Sequence, residues 1–219
     1  MHMTDRGLLA LVRHEGLVPG PYLDVKNVWT FGIGHTAAAG PPEPAQMPRG
    51  MPADLDAGIR EAFRLFCADI VPYEAEVLRA VKVPLEPHEF DALVSFHYNT
   101  GGIAKASLIR HLNVGNRAAA AQRFMGWLRP AAIRSRREAE RDLFAEGRYP
   151  TGTIPVWSVD RNGRVDFSRP VRRLTEAEAL SLLRPTGQPV PLPVPSAPIA
   201  PSGWLARLFT FFSNFTRRV

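Results

Sequence analysis

The stretch RHEGLVPGPYLDVKNVWTFGIGHT, residues 13–36, decides how this chain folds. It joins the end of a pattern of apolar residues at helical spacing to a run of aromatic and β-branched residues that favour strands. The pattern predicts a helix from Asp5 to Glu15, with Thr4 as its N-cap and Gly16 at its C-terminal end. A small β-ribbon is predicted immediately after this helix, over residues 22–34.

Outward from this stretch, the periodicity up to residue 184 is mostly helical. Further helices are predicted at 53–80, with Pro72 as a point where the helix can break, and at 87–98, 105–114, 116–128 and 134–146. A hairpin is predicted around residues 160–163, and Thr175 with Glu178 forms a capping box for a last helix to Leu183. The predicted fold class is α+β, mainly α, with a small N-terminal β-hairpin lobe and a larger helical lobe.

The composition changes sharply after this predicted domain of residues 1–184. Residues 185–202 form a proline-rich linker beginning PTGQPVPLPVPSAPIAP, and such a run favours extended polyproline II. Residues 203–219, GWLARLFTFFSNFTRRV, place bulky aromatic residues on one face of a helical wheel and arginines on the other. This tail is predicted to be an amphipathic helix that contacts an anionic membrane, and the alternative is a helix docked on the domain.

The charge and the cysteine content restrict the classes of partner and cofactor. A net charge of +6 and a pI near 10.1 favour anionic partners, namely nucleic acid, a membrane surface or an acidic polymer such as a bacterial cell wall. The single cysteine, Cys67, excludes an internal disulfide framework and a metal site built from several cysteines. The six histidines lack the spacing of a metal-binding motif, so no metal and no other cofactor is predicted.

Glu15 is the first candidate for chemistry, because it continues an apolar helix face. By helical spacing it lies on the same face as Leu8, Leu11 and Val12. Desolvation disfavours the charged carboxylate, and the dipole at a helix C-terminus repels it. Both effects are expected to raise the pKa of Glu15 toward that of a general acid, while the alternative is an ordinary surface glutamate.

Asp24 and Thr30 are the second candidate, within the predicted ribbon. If the hairpin turns about Asn27, which tolerates the left-handed conformation, Asp24 and Thr30 are opposite each other and point to the same face. A carboxylate and a hydroxyl side by side can hold a water molecule. Together with a protonated Glu15 across a cleft, this is the arrangement of a glycosidase.

These residues resemble the phage-type lysozymes of glycoside hydrolase family 24. The resemblance begins with the spacing of glutamate, aspartate and threonine in HEG…YLD…WTFGIGHT. It continues, in the family's order, through ALVSFHYNTGG (92–102), SLIRHLNVGNRAAAAQRFMGWL (107–128) and IRSRREAERDLF (133–144). The likeness covers about residues 7–149. The chain departs from the family at PAAI (130–133), where a glycine is usual, and in a longer, proline-rich link over residues 36–52.

The resemblance implies a lysozyme-like fold and a muramidase that needs no cofactor. Its substrate would be the β-1,4 bond between N-acetylmuramic acid and N-acetylglucosamine in bacterial peptidoglycan, hydrolysed with inversion. Glu15 would protonate the glycosidic oxygen. Asp24, aided by Thr30, would position the attacking water and offset the developing positive charge.

The resemblance also implies supporting residues in the helical lobe. Asn99 and Thr100 are expected to line the substrate groove, with a purely structural capping role as the alternative. An arginine of the segment 133–144 is expected close to the catalytic glutamate. Arg137 is favoured over Arg136, and the alternative for both is a solvated helix face.

The expected setting is an endolysin that lyses a host cell. The start, MHMTDRGLLALVRHEG, has no apolar region long enough for a signal peptide, and no stretch is long enough to span a bilayer. We therefore expect a monomer that is made in the host cytoplasm and reaches peptidoglycan after a holin-like partner opens the membrane, with no nucleic acid as partner. Three alternatives remain: a noncatalytic wall-binding or virion protein, a membrane-active cationic protein, and a lytic transglycosylase.

Overall fold

The computed structural model describes residues 1–183. These residues form two compact units: residues 1–11 with 71–150, and residues 12–70 with 151–183. The linker and the tail predicted for residues 185–219 lie outside the described residues. None of the helices in residues 1–183 combines the length and the apolar character needed to cross a bilayer.

Along the described residues, one group of short strands follows the first helix and a second group precedes the last helix. The helices are α1 (Asp5–Glu15), α2 (Leu55–Ala80), α3 (Pro87–Thr100), α4 (Ser107–Asn113), α5 (Arg117–Arg123), α6 (Arg134–Glu146) and α7 (Glu176–Leu183). The strands are β1 (Val18–Leu23), β2 (Trp29–Gly32), β3 (His35–Thr36), β4 (Ile154–Val156), β5 (Ser158–Val159), β6 (Val165–Asp166) and β7 (Arg172–Leu174). The predicted class, α+β and mainly α, is confirmed.

The first helix forms as its sequence predicts. Thr4 Oγ1 accepts a hydrogen bond from Gly7 N at 3.0 Å, which satisfies one of the free donors at the start of α1. At the other end Gly16 has a φ of 74° and donates to Val12 O, so α1 ends after Glu15. The capping box of the last helix is also confirmed, because Glu178 and Thr175 exchange hydrogen bonds.

Two predicted helices differ in detail from those observed. The break considered at Pro72 does not occur, and α2 continues through it to Ala80. Apolar residues such as Phe66 and Val77 keep their buried positions on either side, so the loss of one backbone donor does not end the helix. The helix predicted at 116–128 ends at Arg123 and is followed by a 3₁₀ turn over Phe124–Gly126.

In the unit of residues 12–70 and 151–183, strands β1, β2 and β3 form an antiparallel sheet in that order. The sheet begins at Val18 and not at residue 22, because the prolines in VPGPYL lie where the register with β2 shifts and their missing donors are tolerated. The pairs β4–β7 and β5–β6 belong to the same unit. Leu17 joins them to the start of β1 through a parallel bridge with Val156 and a hydrogen bond from Trp157 N.

The predicted register of the hairpin is wrong. Thr30 is opposite Tyr22, while Asp24 is opposite Val28 and donates to Val28 O at 3.0 Å. Asn27 does adopt the left-handed conformation, with a φ of 60°. The loop closes around Asp24 itself, because its carboxylate accepts hydrogen bonds from two backbone amides of the turn.

The unit of residues 1–11 and 71–150 has an all-helical core. Helix α3 is its centre and is buried from Glu89 to Asn99. Phe96 packs edge-on against Phe124 at a centroid distance of 5.4 Å, and Phe124 packs against Phe144 of α6 at 5.5 Å. This packing brings the buried arginines of α6 against α3.

Candidate active site

Glu15 is the last residue of α1, and its side chain is 5% exposed. Leu11 and Val12 in the preceding turn are fully buried, so the apolar face that the sequence predicts continues to the carboxyl group. The left-handed Gly16 then turns the chain into β1. Glu15 therefore occupies the desolvated position at a helix C-terminus that its sequence pattern predicts.

Asp24 closes the loop between β1 and β2. Its Oδ1 accepts hydrogen bonds from Lys26 N and Val28 N, both at 2.8 Å, so the carboxylate has a fixed orientation. The side chain is 5% exposed, and Oδ2 has no hydrogen-bond partner within residues 1–183. One carboxylate oxygen therefore holds the loop, and the other is available to a ligand.

Thr30 is fully buried on β2, beside this loop. Its hydroxyl donates to Val28 O at 3.1 Å, which leaves the oxygen lone pairs as acceptors. Tyr22, its cross-strand partner, is two residues from Asp24, so Asp24 and Thr30 share a face as diagonal neighbours. The predicted pairing on one face is therefore retained, although the register is different.

Tyr22 lies beside the candidate site, at a position that belongs to the predicted strand. It is buried, and burial is the main reason why the pKa of its phenol is raised above its ordinary value. The charges of Glu15 and Asp24 raise the pKa further, so both carboxylates lie within electrostatic reach of Tyr22. The strand alternation that places Tyr22 and Asp24 on the same face is the signal that could have identified it.

The supporting residues predicted in the helical unit have different partners. Arg137 donates to Asn99 Oδ1 and forms an ion pair with Glu140, while Asn99 Nδ2 has no hydrogen-bond partner in the described part of the chain. Thr100 Oγ1 donates to Phe96 O at 2.8 Å and accepts from Gly102 N at 3.0 Å. Thr100 thus has the capping role given as its alternative, whereas Asn99 keeps an available donor.

The arginine pair is buried in the same unit. Arg136 Nε donates to Glu140 Oε1 at 2.8 Å, and Arg136 Nη2 donates to Ser95 O at 3.1 Å. Arg136 and Arg137 are at most 1% exposed, so the alternative of a solvated helix face is wrong for both. Which arginine contacts Glu15 stays a prediction.

The sequence profile of phage lysozymes matches residues 12–140. The chain belongs to the phage lysozyme family. This phage lysozyme is therefore a glycoside hydrolase, and it is 31% identical over 150 residues to the endolysin of Salmonella phage P22, across 66% of its own length and 98% of the P22 protein. It is 33% identical over 145 residues to the SAR-endolysin of Escherichia phage Mu, across 63% and 76% of the two lengths.

Solved structures of phage lysozymes resemble it as well. The endolysin of Escherichia coli O157:H7 phage FAHEc1 superposes with a TM-score of 0.60 at 28% identity, covering 69% of this chain and 98% of that one. A mutant of P22 lysozyme gives a TM-score of 0.55 at 29% identity, covering 66% and 98%. Glu15, Asp24 and Thr30 lie inside the segment matched by the family profile, and residues 151–183 lie beyond it.

Proposed function

We propose that this phage lysozyme is an endolysin that hydrolyses the β-1,4 bond between N-acetylmuramic acid and N-acetylglucosamine in peptidoglycan. The observation that carries the proposal is the hydrogen bonding of the buried Asp24, whose Oδ1 accepts two bonds from the loop while Oδ2 has no partner within residues 1–183. The charges of both Asp24 and Glu15 raise the pKa of the Tyr22 phenol, so the two carboxyl groups act on the same neighbour. Two carboxyl groups with different surroundings suit the different tasks of an acid and a base.

Glu15 donates the first proton. Its carboxyl group protonates the glycosidic oxygen as the bond from that oxygen to the anomeric carbon breaks. The leaving sugar then departs as a neutral alcohol, and positive charge develops on the ring left behind. The buried end of α1 keeps bulk water from competing for this proton.

Asp24 and Thr30 position the water. Because the Thr30 hydroxyl gives its proton to Val28 O, a water molecule finds two acceptors, Asp24 Oδ2 and Thr30 Oγ1. Its two protons are then engaged, and a lone pair is left to attack the anomeric carbon. Asp24 accepts the proton that the water loses, and attack from the side opposite the leaving group inverts the configuration.

The helical unit contributes sugar contacts in this proposal. The open amide donor of Asn99 is suited to a sugar hydroxyl or an N-acetyl carbonyl. Arg137 fixes the Asn99 side chain through its hydrogen bond to Oδ1, and Thr100 shapes the turn that follows α3. Asn99 is therefore proposed as a substrate-binding residue, with Arg137 and Thr100 in supporting positions.

Product analysis after digestion of purified sacculi tests the reaction. We expect muropeptides with reducing N-acetylmuramic acid ends, whereas 1,6-anhydro ends would identify a lytic transglycosylase. Glu15→Gln should remove nearly all release, because an amide cannot donate the proton. Glu43→Gln is the matched control, since Glu43 is exposed in the same unit and should leave the rate unchanged. Wild-type release by folded Glu15→Gln protein would overturn the assignment.

Access to the wall is proposed to depend on another protein. A holin-like partner would open the inner membrane of the host and let the enzyme pass from the cytoplasm to the peptidoglycan. Expression of this chain alone should cause little lysis until chloroform permeabilises the membrane. Prompt lysis that depends on the secretion machinery would contradict this route.

The tail is proposed to contact anionic lipid. Residues 203–219 carry three arginines and no acidic residue, and their aromatic residues fall on one face of a helical wheel. Co-sedimentation with vesicles rich in phosphatidylglycerol should be stronger for the full chain than for a chain ending at Leu183. Equal sedimentation of the two chains would exclude this role for the tail.

A further inference from the structure

The turn between β5 and β6 contacts both sides of the catalytic loop, although it lies beyond the segment that defines the family. Leu23 N donates to Gly163 O at 2.8 Å. The indole of Trp29 packs on Gly163 so closely that a Cβ there would lie 2.7 Å from Trp29 Cζ3. Leu23 and Trp29 are cross-strand partners, and the loop that carries Asp24 lies between them. Gly163 therefore touches the residue before Asp24 and the first strand residue after the loop.

The turn itself is firmly held. Asp160 Oδ1 accepts from Asn162 N at 2.8 Å and from Arg164 N at 2.9 Å, and Gly163 N donates to Asp160 O at 3.1 Å. Gly163 has a φ of 79°, a conformation in which a side chain is strained. The Asp160 side chain thus sets the direction in which the Gly163 carbonyl points.

The Trp29 ring is fixed by a second contact. The guanidinium carbon of Arg49 lies 3.5 Å from the ring centroid, a cation–π distance, and Arg49 also donates to Ala45 O at 2.7 Å. With Arg49 over its face and Gly163 against its ring edge, Trp29 holds the β2 side of the loop. These two contacts hold the Trp29 ring in place against the hairpin.

We propose that the β5–β6 turn is a positioning element for Asp24, an inference that rests on the proposed muramidase reaction. Asp160 acts through Gly163, and Gly163 acts through the peptide that joins Leu23 to Asp24. The direction of the open Oδ2 follows from this peptide and from the loop bonds of Oδ1. A displacement of about 1 Å at a reacting group can lower a rate by about 10²-fold, so a firm backbone at this point acts on the rate and not on substrate affinity.

Two exposed aspartates make a matched test of this proposal. Asp160→Ala removes the bonds that orient the Gly163 carbonyl, and Asp160→Asn retains an acceptor for both amides. Asp166→Ala removes a similar turn bond, from Ser168 N at 2.8 Å, in the same segment but away from Leu23. We expect Asp160→Ala to lower the turnover rate on sacculi about 10-fold at unchanged KM. Asp160→Asn and Asp166→Ala should stay within about twofold of wild type.

A second variant tests the carbonyl position directly. Gly163→Ala strains the backbone and pushes against Trp29, and we expect a loss of turnover at least as large as for Asp160→Ala. Wild-type turnover by both Asp160→Ala and Gly163→Ala would overturn the proposal. Equal losses for Asp160→Ala and Asp166→Ala, in step with their melting temperatures, would overturn it as well. A failure of the muramidase reaction is distinguishable, because it appears in the wild-type products.

A separate observation concerns the helical unit, whose sequence has no acidic residue from 92 to 137 but eight lysines and arginines. Four of them have carboxylate partners: Arg117 pairs with Glu89, Arg134 with Glu138, and Arg136 and Arg137 with Glu140. The exposed remainder includes Arg110 and Arg123 on α4 and α5, which form no ion pair with a described residue.

These cations gather around the last turn of α4. Arg123 Nε lies 3.3 Å from His111 Nε2, so its side chain reaches across to the turn that contains Arg110. Asn113 accepts from Lys82 N at 2.8 Å and donates to Ala80 O at 3.0 Å, which joins the end of α2 to the same turn. We define the α4 cationic surface as Arg79, Lys82, Arg110 and Arg123, all of them exposed.

We infer that the α4 cationic surface binds the carboxylates of peptidoglycan stem peptides and holds the enzyme on its polymer. This rests on peptidoglycan being the substrate. Four like charges that form no ion pair with a carboxylate of residues 1–183 create a positive potential that an anionic polymer can neutralise. Such binding weakens with salt, because exposed charges are screened within about 10 Å at 0.1 M ionic strength.

Binding of the inactive Glu15→Gln protein to sacculi provides the test. A variant with Lys82, Arg110 and Arg123 changed to Gln is compared with one in which Arg60, Arg169 and Arg173 are changed to Gln, so that both lose the same charge. We expect about 10-fold weaker binding at low salt for the first variant and less than twofold for the second. Sacculi with amidated carboxylates should bind all three proteins alike. Equal weakening by both variants, or a difference that persists after amidation, would overturn the inference.

Discussion

Two buried aspartates in this protein, each associated with a threonine, have opposite hydrogen-bonding states. Asp91 of α3 accepts from Thr4 N at 2.9 Å, from Thr4 Oγ1 at 2.5 Å and from Tyr149 OH at 2.7 Å. Asp24 accepts only from the loop, through Oδ1, and the Thr30 hydroxyl donates to a backbone carbonyl instead. Both carboxylate oxygens of Asp91 accept hydrogen bonds, whereas Asp24 Oδ2 has no hydrogen-bond partner within residues 1–183.

The difference separates a structural pair, Thr4 and Asp91, from the pair proposed to be catalytic, Asp24 and Thr30. The hydrogen bonds between Thr4 and Asp91 anchor the start of α1 to α3. Both carboxylate oxygens of Asp91 and the Thr4 hydroxyl are engaged within the protein. Thr30 directs its proton away from Asp24, so both oxygens remain acceptors for a water molecule. An unsatisfied buried carboxylate oxygen costs stability, and the proposed reaction is the reason for it.

The largest expected effect is on activity and follows from Asp24→Asn. The amide retains an acceptor for the loop but cannot take a proton from water, so turnover should fall by about 10²-fold or more. The melting temperature should stay close to that of wild type, since no satisfied bond is lost. Muropeptide release and thermal denaturation measure the two quantities. A large loss of stability with activity retained per folded molecule would reverse the assignment of the two aspartates.

The second effect is on stability and follows from Asp91→Ala. Three donors would lose their buried acceptor, so the free energy of unfolding should fall by about 3 kcal/mol. Turnover at a temperature where the variant is folded should be within about twofold of wild type, because Asp91 is not proposed to touch substrate. Urea denaturation and sacculus digestion are the measurements. Unchanged stability would show that these hydrogen bonds are not the anchor described here.

A smaller effect separates the two threonines. Thr30→Val keeps the shape of the side chain and removes one acceptor of the attacking water, so turnover should fall about 10-fold. Thr30→Ser restores the hydroxyl and should recover most of this rate. Thr4→Val should instead lower the free energy of unfolding by about 1 kcal/mol at unchanged turnover. Equal effects of Thr30→Val and Thr4→Val on both quantities would remove the distinction.

The smallest effect is the pH dependence of stability at Asp91. Burial raises the pKa of Asp91, with a small contribution from Glu74, while the bonds from Thr4 and Tyr149 oppose the shift. Between pH 3.8, the ordinary value, and the raised pKa, the folded state binds more protons than the unfolded state. The Asp91 contribution to the free energy of unfolding therefore falls as pH rises through this window, by less than about 1.4 kcal/mol per pH unit.

Comparison with Asp91→Asn isolates this titration. Asparagine does not titrate, so the difference between the two unfolding free energies should change only inside that window. Urea denaturation at closely spaced pH values measures it. A difference that moves in the opposite direction would mean that the three hydrogen bonds outweigh burial.

Local sequence signals predict the helices and their ends well. The bounds of α1, its Thr4 cap and its left-handed Gly16 follow from interactions between neighbouring residues, and so does the Thr175 capping box. The start of β1 could not be predicted, because Pro19 and Pro21 look like strand breakers and only the irregular pairing with β2 makes them acceptable. Strands β4 and β7 were also missed, since each has three residues and depends on a partner far away in sequence.

The candidate site was predicted to a similar extent. The spacing of Glu15, Asp24 and Thr30 makes them candidates, because chemistry constrains residue types at fixed positions. The hairpin register was wrong because Asp24 uses its own side chain to close the loop, a bond that residue spacing does not reveal. Tyr22 was missed because residue spacing does not show its burial or its electrostatic interaction with the two carboxylates. The roles of these residues stay predictions.

The bridge between Leu17 and Val156 has a consequence for the order of events during translation. In the same unit Arg13 Nε donates to Gly152 O, across 139 positions of the chain. A ribosome releases residues in sequence order, so β1 emerges long before the strands against which it rests. Strand β1 and the candidate site residues next to it therefore lack this support until most of the described residues have been made. A chain cut short before Gly152 would contain Glu15, Asp24 and Thr30 but neither of these two contacts.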